Sequence, residues 1–273
     1  MTGPRFPRPV PLDFVSSVLV STILTGALSA LAYRRDVLTW DGSLAAFVVG
    51  MVIGIFGDVT WLFLLLFFLL SSFLATRYRF ALKEALGVQE GIRGERKSTN
   101  VLANGFAPMA VAAISLTMPA GFPKIISGVI FLSALSVAGA DTLASEIGVL
   151  SRKTALITTG EPVPPGTDGG VSRLGQLCAF GAAAYTSVAG WFVLSYLSRV
   201  WSLTRQPTMP EASWYLLIPI AIGFLGCQLD SVLGATLERR GVMDKKTVNL
   251  VSTTFGAVLA YVILIAAGPL PTA

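Results

Sequence analysis

Histidine is absent from this sequence of 273 residues, and only two cysteines are present, Cys178 and Cys227. The absence of histidine excludes Ser-His-Asp and Cys-His nucleophilic catalysis, histidine metal ligands and histidine pH switches. Both cysteines fall within hydrophobic runs, so neither indicates a disulfide framework. Any chemistry must therefore use carboxylates, hydroxyls, amides, Lys and Arg, together with metal ions that prefer oxygen ligands.

Charged residues are also scarce, at 13% of the chain, whereas hydrophobic residues make up 53% and the mean hydropathy is +0.72. This composition predicts an all-α, polytopic transmembrane helical bundle. The whole chain, 1–273, is interpreted as one integral membrane domain with an N-terminal tail at 1–11. Eight spans near the ~20 residues that cross a bilayer are predicted, the second of them short: 12–32, 43–57, 59–76, 99–118, 124–149, 174–198, 213–237 and 249–268.

The distribution of Lys and Arg among the loops predicts the orientation. With eight spans, 15 of the 20 basic residues fall on one face, which the positive-inside rule makes cytoplasmic. That face carries the loops 77–98 and 151–173, the first of which is expected to be largely solvated, and all the polar motifs below. The net charge of +5 suits anionic lipid headgroups and gives no reason to expect nucleic acid as a partner.

The most polar stretch lies at 164–173 and reads Pro-Pro-Gly-Thr-Asp-Gly-Gly-Val-Ser-Arg. Its glycines can adopt positive φ, and successive N–H groups can form a nest for phosphate oxygens. An apolar run follows, so the loop is expected to lead into a helix N-terminus, which also favours anions. The candidate nucleotide- or phosphate-binding residues are Gly166, Thr167, Gly169, Gly170, Ser172 and Arg173. A simple connector between two spans is the alternative.

Two predicted spans carry carboxylates near their cytoplasmic ends, where a charge is unfavourable unless it is paired, hydrated or metal-bound. Asp141 lies one turn from Ser145, whereas Glu146 lies further round the helix and either caps the site or pairs with Arg152. Asp230 lies at a depth that matches Asp141. The two aspartates are candidate Mg²⁺ ligands, and the candidate catalytic residues are Asp141, Ser145, Glu146 and Asp230. Structural ion pairing is the alternative.

Asparagine side chains form a third candidate group. Asn100 and Asn104 recur with Arg96 and Pro108 every four residues, so two amides and a guanidinium share one helix face. Asn249 opens the last span. The three amides are candidate contacts for a nucleotide or phosphate, and interhelical hydrogen bonding explains them equally well.

Five motifs resemble the domain-of-unknown-function-92 family of integral membrane proteins: NVLANG at 100–105, DTLASEIG at 141–148, PPGTDGGVS at 164–172, LDSVLGATL at 229–237 and VNL at 248–250. The resemblance extends from about Leu28 to Leu259, and the family includes transmembrane protein 19 and the phytyl-phosphate kinase of tocopherol synthesis. It implies a kinase in which CTP phosphorylates a prenyl monophosphate to the diphosphate. The site that it implies comprises Asn104, Asp141, Ser145, Glu146, the loop 166–172 and Asp230. Asp168 stands where the family pattern has Ser.

Two other functions fit the same residues. One is a cytidylyltransferase that makes a CDP-activated lipid. The other is an ion-coupled transporter, which predicts polar residues in both halves of the membrane and internal repeats, whereas polarity here gathers at one face. The expected partners are a prenyl phosphate lipid, a nucleotide and the bilayer, and the choice between a monomer and a homo-oligomer is left open.

Overall fold

The computed structural model describes residues 14–91, 94–115, 124–201 and 213–266, so the predicted tail at 1–11 lies outside the described residues. Within these ranges the α-helices are α1 (Phe14–Arg34), α2 (Trp40–Val52), α3 (Trp61–Arg77), α4 (Phe80–Ala85), α5 (Ser98–Ile114), α6 (Lys124–Gly148), α7 (Arg173–Phe192), α8 (Ser198–Trp201), α9 (Leu217–Leu233) and α10 (Lys245–Ala266). Three π-helical turns continue α2, α7 and α9: Ile53–Gly57, Val193–Leu197 and Gly234–Glu238.

Eight of these helical segments coincide with the predicted spans and confirm a polytopic helical membrane protein. Six are long and apolar enough to cross a bilayer: Phe14–Arg34, Trp40–Gly57, Lys124–Gly148, Arg173–Trp201, Leu217–Glu238 and Lys245–Ala266. Because α3 and α5 have 17 residues each, the count of eight spans is approximate. The second segment, with 18 residues, is longer than predicted because it begins at Trp40, after the capping residue Thr39, whereas its π-helical turn ends at Gly57, as predicted.

The long helix α6 forms the centre of the bundle, and α3, α5, α7, α9 and α10 pack around it. It is buried along most of its length because its side chains are small or apolar on every side. Glycines in its neighbours allow close approach. A Cβ atom at Gly190 of α7 would collide with Leu132, and one at Gly226 of α9 would collide with Val137. Small residues at helix contacts are the usual means of close packing in membranes.

The connection between α6 and α7 contains a small antiparallel sheet that the all-α prediction did not include. Its strands are β1 (Thr154–Leu156), β2 (Pro162–Val163) and β3 (Gly170–Val171), in the order β2-β1-β3. Ala155 pairs with Pro162 on one side and with Val171 on the other. Strands of two or three residues leave no alternating pattern in the sequence, so periodicity could not reveal them.

The loop 77–98 is packed more tightly than the predicted solvated connector. It contains α4, whose Lys83 is 0% exposed. Further on, Arg96 forms a β-bridge with Leu38, and the backbone N–H and hydroxyl of Thr39 both donate to the carbonyl of Arg96. The loop is therefore anchored both to the connection between α1 and α2 and, through Lys83, to the helices beneath it.

Candidate functional site

A cavity of about 280 Å³ lies at the end of the bundle where α6 and α9 terminate. Its walls also include the start of α7, the start of α10, residues 87–90 after α4 and the loop 166–172. Nine of the predicted site residues line it: Asp141, Ser145, Glu146, Gly166, Thr167, Gly169, Gly170, Ser172 and Asp230. Motifs that are far apart in the chain thus meet at one place.

The cavity is acidic, although the glycine-rich loop 164–173 predicted a site for phosphate. Among the described residues that line it, one is basic, Lys245, and six are acidic: Glu90, Asp141, Glu146, Asp168, Asp230 and Glu238. Arg173, the cation predicted to serve the loop, is exposed and lies outside the lining. Phosphate oxygens in this cavity would meet net negative charge unless a divalent cation lay between them and the carboxylates.

Asp141 of α6 and Asp230 of α9 lie within hydrogen-bonding reach of each other. The Oδ2 atom of Asp230 is buried and has no hydrogen-bond partner among the described residues. A buried carboxylate oxygen without a partner is unfavourable, and a cation with oxygen ligands would satisfy it, so the pair fits Mg²⁺. The described ranges contain no cluster of three or more Asp, Glu or Cys side chains arranged to hold a metal. A bound ion would take its remaining ligands from water, from phosphate or from neutral protein oxygens.

Glu146 is paired with Lys83, so the alternative in which it pairs with Arg152 is wrong. The Lys83 ammonium donates to Glu146 Oε2 at 2.7 Å and to the carbonyls of Ala75 and Thr76 at 2.8 and 3.1 Å. The Thr76 hydroxyl donates to Glu146 Oε1 at 2.9 Å. Arg152 is exposed. Because both carboxylate oxygens of Glu146 are occupied, its structural contacts hold α3, α4 and α6 together at the cavity wall.

The loop 166–172 packs against the end of α9 and also lines the cavity. Gly166 and Gly169 adopt positive φ, of 84° and 71°, as predicted, whereas Gly170 belongs to β3 and does not. A Cβ atom at Gly169 would collide with the backbone of Ala235, in the π-helical turn after α9. The space beside Gly169 is thus filled by a helix, so this glycine permits the loop to dock on α9.

The hydroxyls predicted to bind phosphate take part in local hydrogen bonds. Ser172 is the N-cap of α7, where its oxygen accepts from the Gly175 N–H at 3.0 Å and its hydroxyl donates to the Gly148 carbonyl at 3.2 Å. This confirms that the loop leads into a helix N-terminus. The Thr167 hydroxyl donates to the Pro164 carbonyl at 2.7 Å, and that of Ser145 donates to a carbonyl of its own helix. The hydroxyl hydrogens of these residues are therefore already used in hydrogen bonds within the protein, although their oxygens can still accept a hydrogen bond.

Three asparagines predicted to contact the ligand lie outside the lining of this cavity. Asn100 donates from Nδ2 to Oε1 of Glu90 at 2.6 Å, so it supports a residue of the wall. Asn104 donates to the carbonyl of Asn100 at 3.2 Å. The side-chain oxygens of Asn104 and Asn249 are buried and have no hydrogen-bond partner among the described residues.

The family model described as integral membrane protein DUF92 matches residues 23–257. The chain belongs to this family. A chain similar to it, an uncharacterized membrane protein of Methanocaldococcus jannaschii, is 29% identical over 253 residues, which cover 92% of this chain and 96% of the relative. Protein PGR of Arabidopsis thaliana is 30% identical over 239 residues, covering 82% and 80%. The chloroplastic protein VTE6 of the same plant is 28% identical over 265 residues, covering 94% and 72%. No solved structure matches the chain.

Three charged residues of this DUF92 chain line the cavity although the motifs did not single them out: Glu90, Glu238 and Lys245. Glu90 lies in the loop that was expected to be solvated. Glu238 and Lys245 flank the charged connector 239–244. One signal was available for Glu238, since it follows Asp230 and Gly234 at intervals of four residues.

Arg96 lies close to the acidic cavity without lining it. Burial lowers the pKa of this guanidinium, and the negative charges of Glu146, Glu90 and Asp141 oppose the shift. Arginine remains protonated in proteins. A permanent positive charge is therefore held beside the cavity.

Asp244 stabilises the helix start that presents Lys245. Its carboxylate accepts hydrogen bonds from the hydroxyl and backbone N–H of Thr247, at 2.5 and 2.8 Å. These two bonds hold the pKa of Asp244 below its ordinary value. This arrangement is a helix N-cap, and it fixes the first turn of α10 at the edge of the cavity.

Proposed function

We propose that this protein is a kinase that uses CTP and Mg²⁺ to convert a polyprenyl monophosphate of phytyl type to the diphosphate. The observation that carries the proposal is the meeting of Asp141 and Asp230 in an acidic cavity, with Oδ2 of Asp230 unpartnered within the described residues. Two carboxylates together with substrate phosphates are a usual ligand set for Mg²⁺. Membership of a family that includes a phytyl-phosphate kinase supports the choice of a prenyl phosphate.

The site is proposed to face the cytoplasm, where nucleotides are available. The support is the excess of Lys and Arg in the loops at this end of the bundle. Residues of both polar connections, 77–98 and 151–173, line the cavity. A nucleotide could therefore reach it from the aqueous side, and the lipid substrate is proposed to enter from the bilayer.

In the proposed reaction, an oxygen of the lipid monophosphate attacks the γ-phosphorus of CTP. The bond from that phosphorus to the β–γ bridging oxygen breaks, and CDP leaves. The acceptor is already anionic near neutral pH, so the site needs mainly to position two anions and to offset their charge. Asp141 and Asp230 would hold Mg²⁺, which neutralises phosphate charge when bound. Lys245 adds a positive charge, and the loop 166–172 covers one side.

The first test is turnover by the purified full chain in detergent with Mg²⁺, phytyl or geranylgeranyl monophosphate, and CTP or ATP. Release of CDP together with a prenyl diphosphate supports the proposal and identifies the donor. Release of pyrophosphate with a lipid that carries CMP would replace the kinase by a cytidylyltransferase. If no nucleotide is consumed across a panel of lipid phosphates and alcohols, both enzyme functions are contradicted, and ion-coupled transport becomes the function to assay.

The metal site has its own test in two carboxamide variants. Asp141→Asn and Asp230→Asn should each lower kcat by about a hundredfold or more, because each removes a charged ligand of the ion. Asp36→Asn is the matched control, since Asp36 is exposed and its φ of 52° suits Asn. Activity near that of the wild type in both variants, with intact protein in the membrane, would exclude the proposed metal site.

A further inference from the structure

A second cavity, an apolar groove of about 100 Å³, lies between α1, α2, α3 and α5 and is closed at one side by Leu135 of α6. Its walls are aliphatic and aromatic side chains such as Leu28, Val49 and Leu66. Its few polar groups include three from one stretch, Arg96, Asn100 and Asn104. The groove therefore has an apolar body with a polar strip along α5.

Two of these polar side chains are more than nine-tenths buried and incompletely hydrogen-bonded. Arg96 is 8% exposed and Asn104 is 6% exposed. Neither Nε of Arg96 nor Oδ1 of Asn104 has a hydrogen-bond partner among the described residues. Leaving a buried donor and acceptor unpaired is unfavourable. An anionic oxygen of a ligand could accept from Nε of Arg96, whereas Oδ1 of Asn104 is an acceptor and needs a donor such as water or a protonated phosphate oxygen.

The polar strip of the groove adjoins the acidic cavity. Asn100 lines the groove, and it donates at 2.6 Å to Glu90, which lines the cavity. Arg96 lines the groove, and its charge interacts with Asp141 and Glu146 of the cavity. Arg96 and Asn100 thus lie between the apolar groove and the cavity that contains the paired aspartates.

We propose that this groove binds the hydrocarbon tail of the lipid phosphate, while Arg96 binds the phosphate and directs it towards Asp141 and Asp230. The inference rests on the proposed kinase function and deepens it, because it assigns the acceptor subsite. From Ser98, where α5 begins, to Gly105 the helix rises about 10 Å, which is about the length of eight bonds in an extended chain. The groove therefore holds the part of a long tail nearest the phosphate, and the remainder extends into the bilayer.

Binding can be tested without turnover by using a twenty-carbon prenyl monophosphate that carries a diazirine near the phosphate end of its tail. After irradiation of the full chain in detergent, peptide mapping should find labels on α1, α2, α3 and α5 at the groove. Unlabelled prenyl monophosphate should suppress them. Labels confined to the outer, lipid-facing surface, or labels that ordinary phospholipid suppresses equally well, would overturn the inference.

A bulky substitution in the groove supplies the second readout. Ser29→Phe places a ring in the groove, whereas the matched control Ala30→Phe adds the same ring on the exposed side of α1. Ser29→Phe should raise the KM for the twenty-carbon acceptor about tenfold or more, with little effect on the KM for CTP. Equal effects of the two variants would contradict the inference.

The charged end of the site is tested by Arg96→Gln. This variant should weaken suppression of the photolabel by prenyl monophosphate about tenfold or more, and leave suppression by the corresponding alcohol unchanged. Equal loss for both ligands would contradict a phosphate contact. Specific labelling of the groove without turnover would support the tail-binding site and refute the kinase. Turnover with labels outside the groove would support the kinase and refute the tail-binding site.

Discussion

The buried ion pair between Lys83 and Glu146 allows the sharpest test of how the site is held together. Lys83→Met removes the cation and leaves the carboxylate of Glu146 in a site where the pair is 0% and 9% exposed. The three hydrogen bonds that Lys83 donates, to Glu146 and to the carbonyls of Ala75 and Thr76, are lost at the same time. The variant should therefore be strongly destabilised.

The expected loss of stability follows from the unpaired carboxylate of Glu146 that the substitution leaves in the protein. Removal of one partner of a buried, hydrogen-bonded ion pair lowers the free energy of unfolding by about 3–5 kcal/mol, because the remaining charge is uncompensated. For a chain of this size that corresponds to a fall in Tm of roughly 6–20 °C. The double variant Lys83→Met/Glu146→Gln removes both charges, so it should lose less stability than the sum of its two single variants, by about 2 kcal/mol.

Thermal unfolding can be followed in detergent with a dye that fluoresces on reaction with a thiol. Cys227 is 2% exposed and becomes reactive on unfolding, and a Cys178→Ala background removes the more accessible thiol. Lys153→Met is the control, because Lys153 is exposed. Its Tm should stay within about 2 °C of the wild type. A similarly small shift for Lys83→Met, or strictly additive effects in the double variant, would refute the reasoning.

Two further predictions concern the loop and the last helix. Gly169→Ala should destabilise the protein by about 2 kcal/mol more than Gly160→Ala, because the two glycines have φ of 71° and 73° but only the Cβ at position 169 would meet Ala235. Equal losses of Tm in the two variants would contradict docking of the loop on α9. The stability difference between wild type and Asp244→Ala should be constant above the ordinary pKa of 3.8 and should disappear as the pH falls through the lowered pKa of Asp244, since protonation weakens the cap. Thermal unfolding of both proteins from neutral to acidic pH measures this stability difference. A difference that does not change with pH would contradict the role of Asp244 as the N-cap of α10.

The sequence alone determined the class of the protein and the positions of its long helices. A run of about 20 apolar residues must satisfy its own backbone hydrogen bonds in a bilayer, so hydropathy predicts a helix wherever such a run occurs. Local chemistry also predicted the start of α7, because an apolar run follows the polar loop, whereas the capping role of Ser172 came from the structure. The motif resemblance predicted the family correctly, and nine of the predicted site residues line one cavity.

The tertiary structure decided which polar groups meet. Arg152 is six residues from Glu146 in the chain, but the buried partner is Lys83, 63 residues away. The amides of Asn100, Asn104 and Asn249 lie outside the cavity, whereas Lys245 lines it. The physical reason is that a buried charge must be compensated by the polar groups that are buried next to it, because water cannot reach it. Those neighbours come together only when helices and loops that are distant in sequence pack against each other.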